Sequence, residues 1–167
     1  MKKVKVRRWV FPVQKVLFSL VNFAFSLVAF ASVMLWFHVV PTWHLILLPV
    51  CLFLLICFCM GLSLMLSALA VFFRDVMRLW SVVIAAWMYL TPIFWTTDFI
   101  GKMAHWIQVL VVVNSMYNYV QFMRDIYLFD TVPSALTLGL CVAWAVIALA
   151  AGYTLFHKTE HKFILYI

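Results

Sequence analysis

Four long apolar segments dominate the chain, and none of them contains Asp, Glu, Lys or Arg. A helix needs about 20 apolar residues to cross a bilayer core of about 30 Å, and each segment is close to that length or longer. Within them the apolar residues do not follow the period of two that marks membrane β-strands. The pattern therefore predicts an all-α integral membrane protein with four transmembrane helices, at residues 16–37, 45–73, 79–97 and 135–156.

The second segment is longer than a simple span and contains Pro49 near its start. A long apolar segment can tilt, and proline disturbs a helix unless it lies in the first turn. We expect a tilt, a kink or a non-spanning turn before this helix.

Residues 98–133 are too long for a tight turn and too apolar for a solvated loop. Two apolar stretches, at 106–113 and 116–129, are separated by Asn114 and Ser115, and neither can cross a membrane alone. They predict a re-entrant helical hairpin that enters from the outer face with its tip near Asn114. The alternative is a pair of amphipathic helices lying flat on the outer interface.

Composition and charge fit a membrane protein and indicate its orientation. The chain is 68% hydrophobic and 10% charged, with a net charge of +7. Ten of the twelve Lys and Arg lie in residues 1–15, 74–78 and 157–167, and the remaining two are Lys102 and Arg124. This asymmetry predicts cytoplasmic termini rather than a surface for nucleic acid.

The N-terminus also has features of a secretory signal peptide, with a basic stretch, an apolar run and small residues at Ala29 and Ala31. The apolar run continues past these residues to Phe37, which favours an uncleaved first span.

Catalytic, cofactor and metal motifs receive no support. Gly101 and Lys102 resemble the end of a phosphate-binding loop, but Met103 replaces the Ser or Thr and the upstream Gly is missing. His38 and His44 have no Cys or carboxylate nearby to complete a metal site. We therefore expect no cofactor and no catalytic residue.

Sequence motifs along nearly the whole chain resemble the permease subunits of bacterial ABC exporters for polysaccharides such as O-antigen and teichoic acid. The most specific are Arg74-Asp75 after LSALAVFF, Thr91-Pro92-Ile93-Phe94 in YLTPIFW, and Asn114 ten residues before Arg124. The family usually has Asn-Pro where this chain has Asn114-Ser115.

The resemblance implies a fold, partners and a location. Family permeases have six spans, and this chain resembles spans three to six, so we expect a truncated, late-starting or split subunit. A dimeric permease in the bacterial cytoplasmic membrane would work with an ABC ATPase subunit, which binds the ATP, and a split subunit would need a chain supplying the missing spans. Its substrate would be an amphipathic glycan.

Two groups of residues are the candidate site. The cytoplasmic group, which the resemblance places in the coupling apparatus, is Lys5, Arg7, Arg8, Arg74, Asp75 and Arg78. The group expected at the translocation path or outer gate is Tyr89, Pro92, Phe94, Trp95, Asn114, Tyr117 and Arg124, with Trp87 and Tyr119 as further aromatic candidates.

Simpler interpretations of both groups stay open. The basic residues could bind anionic lipid headgroups or stop membrane transfer, the aromatic residues could form an interfacial belt, and Arg124 could reach the headgroups. At the level of the whole chain, the alternative to a transport subunit is a small membrane scaffold or an accessory protein of a cell-envelope glycan enzyme.

Overall fold

A computed structural model of the chain describes residues 10–36, 43–73, 75–92, 104–127 and 131–160. All regular structure in these ranges is helical, with six α-helices and one short 3-10 helix at Trp43–Leu47. The α-helices are α1 (Val10–Trp36), α2 (Leu48–Phe72), α3 (Val76–Leu90), α4 (His105–Val113), α5 (Ser115–Tyr127) and α6 (Ala135–Glu160).

Three of these helices contain segments that are long and apolar enough to cross a membrane, at Pro12–Trp36, Leu48–Ala70 and Ala135–Thr159. A shorter apolar helix, Val76–Leu90, lies at the third predicted segment. The prediction of an all-α integral membrane protein is confirmed. The protein is a multi-pass membrane protein.

A 3-10 turn precedes α2, in agreement with the expectation of a non-spanning turn before this helix. Pro49 lies in the first turn of α2. A proline there is tolerated because the N–H group that it lacks would have no partner within the helix.

Helix α3 ends at Leu90, earlier than the predicted third segment, which runs to Thr97. Thr91 has extended backbone angles, φ −86° and ψ 124°. Pro92 explains this ending, because the residue before a proline is sterically disfavoured in the helical conformation. Residues 93–97 lie outside the described part of the chain.

Helices α2 and α6 form the centre of the protein, and α5 packs against both. The buried core lies where these three helices meet and consists of Cys51, Phe58, Tyr119, Phe122, Ile126, Cys141 and Ala148. Helix α1 contacts α2 but leaves most of its apolar side chains exposed, including Phe18 and Phe25. Such a surface requires lipid or further helices around it.

The backbones of α2 and α6 come into direct contact at Gly61 and Gly152. A Cβ atom on Gly61 would overlap the backbone of Ala148, and one on Gly152 would overlap the backbone of Gly61. Small residues allow such close approach between membrane helices, where dispersion contacts replace the hydrophobic effect as the driving force. The two glycines therefore set the distance between the two central helices.

Candidate functional site

The break between α4 and α5 is built around Asn114, whose side chain is 8% exposed. Its Oδ1 accepts hydrogen bonds from Trp87 Nε1 at 2.6 Å and from the Met116 backbone N–H at 3.1 Å. Its Nδ2 donates to Thr91 Oγ1 at 3.1 Å. One amide side chain thus joins the tip of the α4–α5 hairpin to the end of α3.

Thr91 closes this network on the α3 side. Its hydroxyl donates to the Trp87 carbonyl oxygen at 2.9 Å, and its backbone N–H donates to the same oxygen. We call Trp87, Thr91 and Asn114 the tip junction. Because polar groups inside a membrane protein must find internal partners, this closed set of hydrogen bonds stabilises the end of α3 at the hairpin tip.

Asn118 completes the turn between the two short helices. Its Nδ2 donates to the carbonyl oxygens of Val112 and Asn114, both at 2.9 Å, and its side chain is 2% exposed. The last carbonyl groups of a helix have no partner within it, so Asn118 satisfies the end of α4.

Ser115 stands where the sequence resemblance leads us to expect proline, and the backbone of the turn suits either residue. Asn114 is extended, with φ −60° and ψ 122°, which is the conformation favoured before a proline. Ser115 is the first residue of α5, a position that proline also occupies readily. The tip geometry therefore does not depend on having proline there.

One face of α5 anchors the hairpin between α2 and α6. The Tyr119 hydroxyl donates to the Cys141 carbonyl oxygen at 3.0 Å, and its ring centroid lies 5.7 Å from that of Phe58. Phe58 also contacts Trp87, with ring centroids 6.4 Å apart. Tyr119 is buried and Trp87 half-buried, so both of these aromatic candidates belong to the packing of the helices.

A neighbouring face of α5 carries half-buried polar side chains. Arg124 Nη2 donates to the Pro92 carbonyl oxygen at 2.7 Å, and Gln121 Nε2 donates to Asp125 Oδ1 at 2.8 Å. Tyr117 is also half-buried on this face. Arg124 therefore connects the hairpin to the segment after α3. This hydrogen bond is a second connection between them, in addition to the tip junction.

The hairpin tip lies level with the middle of α2. Phe58, which contacts Trp87 of the tip junction, is ten residues after Leu48, the first residue of α2. This is a distance of about 15 Å along the helix, or half of a hydrocarbon core of about 30 Å. At the other end of α5, the ring of Tyr127 lies 5.1 Å from Phe30 near the end of α1.

Other predicted site residues are placed differently. Tyr89 is 72% exposed on α3 and does not belong to the tip junction. Asp75 and Arg78 are exposed at the start of α3. The predicted residues outside the described part are Lys5, Arg7, Arg8, Arg74, Phe94 and Trp95.

Some residues of this framework are not identified by sequence reasoning. Asn118 could have been identified from the sequence, since it follows Asn114 by four residues, which is about one helical turn. Gly152 could also have been identified, because Ala148 and Gly152 form the small-xxx-small pattern typical of closely packed membrane helices.

No group of three or more His, Cys, Asp or Glu within the described ranges could hold a metal ion.

Comparison with known proteins identifies the family. The family described as "ABC-2 type transporter" matches residues 2–128, which is more than half of the chain. The chain belongs to the ABC-2 type transporter family. The matched region of this ABC-2 protein includes α1 to α5 and therefore the whole tip junction.

This ABC-2 protein is also similar to the "O-antigen export system permease protein RfbA" of Klebsiella pneumoniae. The two are 27% identical over 106 residues, which is 64% of this chain and 39% of the relative. The match therefore spans well under half of the relative's length.

Proposed function

We propose that the chain is a transmembrane permease subunit of an ABC transporter that exports a polysaccharide or lipid-linked glycan across the bacterial cytoplasmic membrane. The observation that carries the proposal is the ABC-2 match over residues 2–128. The relative named as an O-antigen export permease supports the substrate class. The chain would be a transport subunit and not an enzyme.

The proposed transporter contains further subunits. An ABC ATPase subunit binds and hydrolyses ATP, a second permease copy completes the translocation path, and a separate chain provides additional spans if the permease is split. The cytoplasmic group of Lys5, Arg7, Arg8, Arg74, Asp75 and Arg78 contacts the ATPase subunit in this proposal.

The hairpin formed by α4 and α5 is the proposed outer gate. Three observations support a re-entrant rather than a flat arrangement: α5 packs between α2 and α6, Asn114 bonds to the end of α3, and the tip lies level with the middle of α2. Non-helical backbone at this depth is tolerated only where protein or a water-filled cavity surrounds it. The tip junction would then hold the gate closed.

Co-purification and export test the proposed function together. The tagged chain is expressed with the ABC ATPase subunit of a glycan exporter, in cells that lack their own glycan export permease. We expect the ATPase to co-purify and labelled glycan to reach the cell surface only when the ATPase can hydrolyse ATP. Co-purification with a glycan-modifying enzyme, with no ATPase and no export, would instead support the accessory-protein alternative.

The proposed orientation can be tested with single-cysteine variants in an otherwise cysteine-free chain. From the distribution of Lys and Arg we expect a membrane-impermeant thiol reagent to label Lys102→Cys in intact cells. The Lys2→Cys and Lys162→Cys variants should be labelled only after the cells are opened. Labelling of Lys2→Cys from outside would contradict the orientation.

A role of Asp75 in coupling predicts that Asp75→Lys reduces both ATPase co-purification and export at unchanged membrane abundance. Asp75 is exposed at the start of α3, so its replacement leaves the core intact. Lys158→Gln, which removes an exposed positive charge near the end of α6, is the control. If positive charge matters only for orientation, Lys158→Gln should have the larger effect, because acidic residues contribute little to topology.

A further inference from the structure

A long groove of about 870 Å³ lies between α1, α2 and α3, apart from the tip junction. This volume is within the range of about 300–1,000 Å³ that is typical of ligand pockets. Along α1 its wall runs from Pro12 to Leu27. The groove is thus elongated in the direction of the spanning helices.

The polar residues of the groove are concentrated toward the end at which α1 begins. Lys15, Ser19, Ser63 and Ser67 line this part, and the Ser63 hydroxyl donates to the Pro12 carbonyl oxygen at 3.3 Å, which places these two residues at one level. Beyond Ser19, the α1 wall consists of Leu20, Phe23, Ala24 and Leu27. The groove therefore has a cationic, hydroxyl-lined end and an apolar remainder.

We infer that this groove binds one anionic phospholipid, with an acyl chain along the apolar part and the phosphate at Lys15. Lys15 is exposed, and helical side chains tilt toward the N-terminus, so its ammonium group points toward the polar end. From Lys15 to Leu27 the groove extends about 18 Å, close to the roughly 15 Å of one hydrocarbon leaflet. With the proposed orientation, the lipid belongs to the cytoplasmic leaflet.

The change in polarity along the groove favours a lipid over a helix from another chain. A spanning helix is apolar over about 20 residues and would cover the Lys15 end of the groove without offering it an opposite charge. A phospholipid has a polar headgroup at one end only. Its phosphate carries a charge opposite to that of Lys15 and accepts hydrogen bonds from hydroxyl groups such as that of Ser19.

Native mass spectrometry of the purified full chain tests this site. The protein is released from nanodiscs containing equal amounts of phosphatidylglycerol and phosphatidylcholine with the same acyl chains. We expect the wild type to retain phosphatidylglycerol preferentially. Lys15→Gln should reduce this preference about fivefold, which is about 1 kcal/mol at about 1.4 kcal/mol per factor of ten.

Two matched pairs of variants separate the headgroup and acyl-chain contributions. Lys158→Gln removes an exposed lysine elsewhere and should leave the lipid preference unchanged. Ala24→Trp fills the groove and should reduce retention of both lipids, whereas Ala29→Trp, at an exposed position on another face of α1, should not.

Two outcomes would overturn the inference. The first is an unchanged phosphatidylglycerol preference in Lys15→Gln. The second is cross-linking of Ala24→Cys to a second copy or another membrane protein with no retained lipid, which would make a helix the occupant. Both outcomes are independent of glycan export, so failure of the proposed function would leave this test unaffected.

Discussion

Gly152→Ala is expected to destabilise the protein by about 2 kcal/mol or more, near the upper part of the range of about 1–3 kcal/mol for overpacking a core. The added Cβ would overlap the backbone of Gly61 on α2. A side chain can change its rotamer to avoid an overlap, but backbone atoms cannot, so α2 and α6 must move apart. Gly61→Ala should have a similar effect, because its Cβ would overlap the backbone of Ala148.

Gly139 provides the matched control on the same helix. A Cβ atom there has no neighbouring atom within 4 Å, and the residue is exposed. Gly139→Ala should therefore be neutral or stabilise α6 by up to about 1 kcal/mol, the helix-propensity difference between the two residues. Unfolding in mixed micelles, followed by circular dichroism, measures all three variants. Equal stability of Gly152→Ala and Gly139→Ala would contradict the close helix contact.

The secondary structure follows from local features of the sequence. Charge-free apolar segments of span length give α1, α2 and α6, and the polar pair Asn114-Ser115 marks the break between α4 and α5. Pro92 is also a local signal for the end of α3. The apolar segment extends to Thr97, however, so the effect of Pro92 on helix length depends on whether other groups form hydrogen bonds with the backbone groups that lose their helical partners. Here Arg124 does so, by donating to the Pro92 carbonyl oxygen.

The partners of the site residues depend on packing between distant parts of the chain. Asn114 is predictable as the hairpin tip, yet nothing in the sequence pairs it with Trp87, 27 residues earlier. For the same reason, an aromatic residue that packs inside the protein cannot be distinguished from one that faces a substrate. Tyr119 is buried and Tyr89 exposed, although both lie in apolar segments of similar composition.

Disrupting the tip junction is expected to lower both stability and export, and this is the second large effect after that of the glycine variants. Asn114→Ala removes the acceptor for Trp87 Nε1 and the donor to Thr91 Oγ1, and leaving a buried polar group unpaired costs about 1–3 kcal/mol. We expect lower stability and, if the hairpin is a gate, a larger loss of export than the fall in abundance explains. Asn22→Ala makes the same chemical change at an exposed position of α1 and should alter neither property.

A double-mutant cycle isolates the hydrogen bond between Trp87 on α3 and Asn114 at the hairpin tip. Trp87→Phe keeps an aromatic ring beside Phe58 but removes the N–H donor. Coupling energies between membrane helices average about 0.6 kcal/mol and reach about 1.7 kcal/mol, and the short 2.6 Å bond should lie in the upper half of that range. Additive effects of Trp87→Phe and Asn114→Ala would show that the Trp87–Asn114 hydrogen bond does not contribute to stability.

Arg124 distinguishes a gate from a purely structural hairpin, because its guanidinium can do more than donate to the Pro92 carbonyl oxygen. Lys can also donate to one carbonyl, so a role limited to holding the segment after α3 predicts that Arg124→Lys restores stability and export together. Contact with an anionic substrate uses the planar fork of donors that Lys lacks, and it predicts normal abundance with only partial export. Arg124→Gln should then lower export further. Full export by Arg124→Gln at normal abundance would remove this residue from the gate and favour an interfacial position of the hairpin.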